Sequence, residues 1–335
     1  VPQREVARRL FSAVVALLLL APVLTTGWLV VTSAAFLTEF LAGDRLPLLS
    51  WITRAPTVRQ LAVPGVAADI YEVESISCHL SRRAIIRVAV RRGVDRPHPI
   101  CAGSSLVLVH GLAPEGKNDV RLRRAARLLA RSGFAVAVPT ITGLTGLRLR
   151  PGDIESVVET VRAMPGPVSI VGVSVGAGPA LLAAADPRVR EEVRAVLSLG
   201  GYASATELVR YYLSGDPRLT RMFVDANPDL MDASARQALV TGQVDALSPE
   251  LRRLLDDLSP ERVVGNIRGR LLIVHGREDP LVPVAQSTRL AEAARAAAPR
   301  VAIVGLVDHV GWRSGGRVLD ALGLWAVTYD LIAGS

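Results

Sequence analysis

Val168-Ser169-Ile170-Val171-Gly172-Val173-Ser174-Val175-Gly176-Ala177-Gly178-Pro179-Ala180-Leu181-Leu182 is the stretch that decides the fold. Its first half is a short run of β-branched and small apolar residues, the composition of a strand buried on both faces. Its second half is rich in Ala and Leu, which favour helix. Between them lies Gly172-x-Ser174-x-Gly176. Glycines flanking a serine allow a sharp strand-to-helix turn without a Cβ clash, leaving the hydroxyl at the apex. The following helix aims its N-terminal dipole and free N–H groups at the same point, which favours a developing negative charge. Ser174 is therefore a candidate nucleophile, set against the plainer reading of a tight turn.

Outward from this turn the pattern repeats. Ser105–Val109, Phe134–Val138, Ala195–Leu199, Arg270–Val274 and Arg300–Val304 are further buried-type strands. Helical patterns fall between them at Val120–Ser132, Asp153–Met164, Gly178–Ala185 and Ala285–Ala298, with a last helix over Gly316–Ala333. Asp153 reads as an acidic cap on its helix. Such β-α alternation predicts a mostly parallel, doubly wound α/β sheet. Two alternating segments, Tyr71–Ser77 and Ile86–Arg91, predict an antiparallel edge. The interval from Leu199 to Arg270 carries helical patterns at Ala203–Leu213 and Pro249–Leu258. A structureless loop of that length is improbable, so residues 203–265 are expected to form a helical cap at the sheet's C-terminal edge.

Two partners for Ser174 appear in order after it. Asp279 follows the next-to-last strand in His275-Gly276-Arg277-Glu278-Asp279-Pro280-Leu281-Val282-Pro283, and His309 follows the last in Val307-Asp308-His309-Val310-Gly311. Both loops open at the sheet edge where ligands bind in open α/β sheets. A Ser–His pair oriented by a carboxylate supports acyl transfer: the serine attacks, the imidazole carries its proton, and the acid fixes the tautomer. Glu278 and Asp308 compete with Asp279 for the acid, and His275 reads as structural. The N–H groups of Val175 and Leu112 are the candidate oxyanion donors, with Ala113 as second choice; Pro114 cannot donate. Lys117, Asn118 and Asp119 either line the pocket mouth or cap the next helix. Tyr202, Tyr211, Tyr212 and Phe223 either form an acyl pocket or hold the cap together.

The chain has 335 residues, 50% hydrophobic and 21% charged, with a formal net charge of +8. This composition supports a large core and excludes a disordered chain. Lys117 is the sole lysine, and the arginines are interspersed with acids, as in Arg188-Val189-Arg190-Glu191-Glu192. With aromatics at 4%, nucleic-acid binding is not expected. No His/Cys/carboxylate cluster has metal-ligand spacing and no G-x-G-x-x-G opens a helix after the first strand, so no metal or cofactor is expected. Cys78 and Cys101 read as two thiols, or as a disulfide in an exported domain.

At the N-terminus, Arg4, Arg8 and Arg9 precede an uncharged run from Leu10 to Thr38. A bilayer span needs about 20 apolar residues. Residues 1–38 are therefore expected to be a membrane anchor, with a signal peptide cut near Thr32-Ser33-Ala34, or a helix packed on a soluble domain, as the competing readings. The arginines favour a cytoplasmic N-terminus and a catalytic domain outside the cytoplasm; signal cleavage would instead make the protein secreted. Residues 39–68, with Pro47, Pro56 and Pro64, predict a linker, leaving 69–335 as the catalytic domain.

Residues from about 70 to 335 resemble the α/β-hydrolase superfamily. The resemblance rests on His110-Gly111, Gly172-Val173-Ser174-Val175-Gly176, the loop His275–Pro283, and Asp308-His309. The third of these looks like the acid-bearing loop of dienelactone-hydrolase-like and esterase-like members. True dienelactone hydrolases carry cysteine where this chain has Ser174, so their substrate is not implied. There is also no His-Gly-Gly-Gly run of the hormone-sensitive-lipase type. The resemblance implies an α/β-hydrolase fold and a serine hydrolase acting on a small-molecule acyl substrate, an ester first. A peptidase, thioesterase or acyltransferase with the same triad, and a non-catalytic binding protein on this fold, are the alternatives. An acid nucleophile would need Asp at position 174.

Overall fold

The computed structural model describes residues 23–73, 104–148, 150–214, 217–230, 232–241, 243, 247–309 and 318–334. The strands are β1 (Thr57–Val63), β2 (Val66–Glu72), β3 (Ser104–Val109), β4 (Phe134–Pro139), β5 (Val168–Val173), β6 (Val193–Leu199), β7 (Arg270–Gly276) and β8 (Arg300–Val304). They form one sheet in the order β1-β2-β4-β3-β5-β6-β7-β8. β2 runs antiparallel to both neighbours, and from β4 to β8 every pairing is parallel.

Strand alternation sends side chains to two apolar layers. On one face Val107, Ile170, Val196 and Ile273 pack with Val157 and Val161 of a helix over Asp153–Ala163, and with Leu181 of a helix over Ala177–Ala185. On the other face Leu106, Leu108, Val171 and Val274 meet Leu122 and Leu129 of the helix Val120–Arg131 and Leu324, Val327 and Leu331 of the helix Val318–Ala333. Each large apolar side chain fully buried this way contributes about 1.5–3 kcal/mol. The helix Val120–Arg131 starts where it does because Asp119 accepts the Arg121 and Leu122 N–H groups.

The interval after β6 is helical. Four helices, Ala205–Ser214, Pro217–Ala226, Ala233–Val240 and Pro249–Asp257, share an apolar core that includes Leu208, Phe223, Val224, Leu251 and Leu255. The Gln286 side chain ties this cap to the domain by accepting the Ala203 and Ser204 N–H groups at 2.9 and 3.0 Å.

Two N-terminal expectations need correction. Residues 39–68 are not a linker: they hold a short helix, Leu48–Ile52, then β1 and the start of β2. Pro64 and Gly65 turn this hairpin; Gly65 supplies a φ of 68° that an L side chain resists. Secondly, the apolar N-terminal helix, here α1, runs from Val23 to Ala42, past the expected end at 38. Its last turns belong to the domain. Thr32, Ser33, Ala35, Leu37 and Glu39 are buried, and the Trp325 indole donates to Ser33 Oγ at 3.0 Å. Buried Glu39 accepts from the Leu49 N–H at 2.6 Å and the Ser50 hydroxyl at 2.7 Å, so it starts the helix Leu48–Ile52. By contrast Val23, Leu24, Trp28 and Val31 are exposed. By length and composition, with a mean hydropathy of 1.4, α1 suffices to cross a membrane. Of the expected edge strand Tyr71–Ser77, Tyr71 and Glu72 form the end of β2, which begins at Val66, and residues 74–77 lie outside the described residues. Ile86–Arg91, Cys78 and Cys101 lie outside the described residues.

Candidate active site

β5 delivers Ser174 to the C-terminal edge of the sheet, next to the ends of β3 and β6. Ser174 has a φ of 55°, a left-handed conformation that costs energy for a residue with a Cβ. The flanking glycines show what enforces it. A Cβ on Gly172 would lie 2.6 Å from the Ala177 Cα, and one on Gly176 would lie 2.0 Å from the His110 carbonyl oxygen. The elbow is thus wedged between its own helix and the turn after β3. Ser174 also opens the 3-10 helix Ser174–Gly176, which leads into Ala177–Ala185.

The structure brings Ser174, His309 and Asp279 together. Ser174 Oγ lies 2.6 Å from His309 Nε2, and His309 Nδ1 lies 2.7 Å from Asp279 Oδ2. These residues are separated by 135 and 30 positions, so only the fold places them in line. The geometry assigns Nδ1–H as donor to the carboxylate and leaves Nε2 as acceptor for the hydroxyl. Asp279 is buried, and its Oδ1 accepts the Leu281 and Val282 N–H groups at 2.8 and 2.9 Å. Burial works to raise its pKa. Hydrogen bonds from His275, His309 and the Val282 amide outweigh that and hold the carboxyl well below the usual carboxylate range.

The competing acids fall elsewhere. Glu278 is exposed, and Asp308 accepts the backbone N–H of His309 at 2.7 Å. His275 is structural, as its place at a strand end suggests, but it also holds the acid. It is fully buried; Nε2 lies 2.9 Å from the Val282 carbonyl and 3.3 Å from Asp279 Oδ2, and Nδ1 lies 2.6 Å from the Ser287 hydroxyl. Nε2–H is then shared between the two oxygens, and Nδ1 accepts from Ser287. Nothing in the sequence around Ser287 or Gln286 pointed to these supporting roles beyond their place in the helix after the Asp279 loop.

The two oxyanion candidates sit on the elbow and on the turn after β3. Val175 is the second residue of the 3-10 helix, where no preceding turn takes its N–H. Gly111 packs directly on the elbow, since a Cβ there would sit 3.0 Å from the Ser174 Cβ. Among the described residues the Leu112 N–H has no backbone acceptor, whereas the Ala113 N–H donates to the Leu144 carbonyl at 3.3 Å. That removes the second choice. His110 shapes the turn: Nδ1 contacts the Gly111 carbonyl at 2.7 Å and Nε2 accepts the Ile141 N–H at 2.9 Å. Burial lowers its pKa, partly offset by the Gly111 carbonyl and Asp119.

Ser174 and His309 line a cavity of about 1090 Å³. Tyr202, Tyr212 and Phe223 line a different and much smaller one, about 90 Å³, between the cap and Val175. Tyr202 and Phe223 are buried in the cap's core, so these aromatics hold the cap together. Lys117 pairs with Asp69 at 2.8 Å, while Asp119 caps its helix and also touches the large cavity. Asp153 is no helix cap; its carboxylate accepts the Gly143 N–H at 3.0 Å. Among the described residues, no group of three or more His, Cys, Asp or Glu side chains is placed to hold a metal.

This sheet order, with an antiparallel β2, a strained serine after β5 and the acid and histidine after β7 and β8, defines the α/β-hydrolase fold. Solved structures of that fold are similar to the chain. A puromycin-hydrolyzing peptidase of Mycobacterium tuberculosis is 19% identical with a TM-score of 0.51, over 86% of this chain and 40% of that one. A 2,6-dihydroxy-pseudo-oxynicotine hydrolase is 17% identical, also with a TM-score of 0.51, over 91% of this chain and 80% of its own. The chain thus spans less than half the length of the first and most of the second. Comparison with family models and with curated protein sequences gives no match.

Proposed function

We propose that the protein is a membrane-tethered serine hydrolase that cleaves a carboxylic ester through an acyl-enzyme on Ser174. The observation that carries this is the unbroken line Ser174 Oγ–His309 Nε2 and His309 Nδ1–Asp279 Oδ2, at 2.6 and 2.7 Å. His309 takes the Ser174 proton as Oγ bonds to the acyl carbon. The carbonyl oxygen becomes an oxyanion facing the Val175 and Leu112 N–H groups. Its collapse breaks the ester C–O bond, and His309 returns the proton to the departing alcohol. Water, deprotonated by His309, then releases the acid and restores Ser174. Asp279, held ionised by its four donors, stabilises the imidazolium in both halves. Membrane attachment rests on α1 and the uncharged sequence from Leu10, with the catalytic domain outside the cytoplasm.

A fluorophosphonate probe tests the nucleophile. Labelling of the wild type and none of Ser174→Ala is the expected result. Equal labelling of both, or of neither in folded protein, would remove Ser174 from the chemistry.

A further inference from the structure

We propose that the cavity at Ser174 holds the acyl tail of a long-chain ester taken from a membrane, with α1 as its outer wall. This deepens the hydrolase reading of Ser174 and rests on it. The cavity, about 1090 Å³, lies above the range of about 300–1,000 Å³ usual for small-molecule sites. One end carries the Ser174 hydroxyl and His309. From there it extends over an apolar floor that includes the half-buried Val173, Leu197 and Leu199, between Phe36 and Phe40 of α1 and Val327 and Leu331 of the helix Val318–Ala333. A short acyl group would leave most of that apolar surface uncovered.

The sheet carries the same message. Leu197 and Leu199 lie on a central parallel strand, yet both are only half-buried. Parallel strands are ordinarily covered on both faces. Here the uncovered patch lies against the cavity, and a flexible hydrocarbon chain is the kind of occupant that covers it without needing a hydrogen-bond partner.

α1 supplies the source of that chain. Phe36 and Phe40 face the cavity, while Val23, Leu24, Trp28 and Val31, earlier on the same helix, are exposed apolar side chains. Contiguous exposed apolar surface of this kind marks contact with another apolar phase. Val31 and Phe40 are separated by roughly 14 Å at a rise of about 1.5 Å per residue. The helix that walls the cavity therefore also reaches the surface that would meet lipid. There Oγ bonds to the acyl carbon, the ester C–O bond breaks, the alcohol leaves with the proton from His309, and water releases the long-chain acid.

The test uses the full chain in detergent micelles with acetyl, butyryl, octanoyl and hexadecanoyl p-nitrophenyl esters. Burial of each added methylene predicts that kcat/KM rises about fourfold per carbon until the cavity fills. Leu331→Trp and Phe40→Trp, from opposite walls, should each lower the ratio of hexadecanoyl to acetyl kcat/KM at least about tenfold. A flat profile in the wild type, with Ser174 still labelled by a short fluorophosphonate, overturns this inference and leaves the hydrolase reading intact. Equal losses on both esters in two folded tryptophan variants also overturn it. Absence of both labelling and turnover would remove the hydrolase reading itself, and this inference with it.

Discussion

Replacing Gly111 with Ala should damage the chemistry and leave the protein folded. A Cβ at position 111 would lie 2.9 Å from the Val173 carbonyl oxygen and 3.0 Å from the Ser174 Cβ. Comfortable contacts between such atoms are about 3.5 Å, so roughly half an ångström of overlap must be relieved. Val173 is fixed in β5 and Ser174 in a strained elbow, so the Gly111 loop is the part that retreats. It carries with it the Leu112 N–H, which is proposed as an oxyanion donor. Loss of one oxyanion donor costs about 10²–10³ in kcat, or roughly 2.7–4 kcal/mol. A partial displacement predicts the lower end, about 10². Overpacking should cost about 1–3 kcal/mol of stability, so the variant should remain folded. Steady-state kinetics on a short ester, with urea unfolding of the same preparation, separates the two effects. A wild-type kcat, or a loss carried only by KM, would refute the placement of this loop.

Three other substitutions probe the surroundings. Asp279→Asn should reduce kcat by about 10⁴, because the imidazole loses its orienting anion. The same carboxyl is held ionised in the fold, so its stabilisation is complete above about pH 4 and lost as pH falls toward the depressed value; the urea midpoints of variant and wild type should converge in acid, and a constant gap would contradict this. His110 is disfavoured as a cation by burial, so stability should decline as pH falls below about 6.5. His110→Gln retains an acceptor for the Ile141 N–H and should flatten that decline; an unchanged slope would count against it. Glu39→Ala strips the acceptor from Leu49 and Ser50 and should cost about 1–3 kcal/mol in urea unfolding, where no change would show that α1 is not docked through this contact.

Much of the sheet was legible because its central strands are continuous apolar runs. The expected Arg300–Val304 coincides with β8, and Phe134–Val138 falls one residue short of β4. The candidate triad was legible for a related reason: loops after consecutive parallel strands all emerge at one edge, so Ser174, Asp279 and His309 could be placed there from strand positions alone. β1 was missed because Thr57–Val63 is a mixed edge strand between prolines, and prolines read as linker. The Pro64-Gly65 pair between two alternating runs was the available signal. The docking of α1 was harder still. A helix that packs one half on a domain and exposes the other has the same composition as a simple anchor, and only Glu39, a charge buried for its hydrogen bonds, hinted otherwise. The support of Asp279 by His275 and Ser287 depends on side-chain angles that no linear pattern carries.

Rapid mixing of the wild type with p-nitrophenyl acetate, followed by acid quench and peptide mass analysis, goes most directly to the chemistry. The account predicts a burst of nitrophenol approaching one per chain and an acetyl group on the peptide containing Ser174, both lost in Ser174→Ala. Turnover without acylation of that peptide, or a burst that survives the substitution, would contradict it.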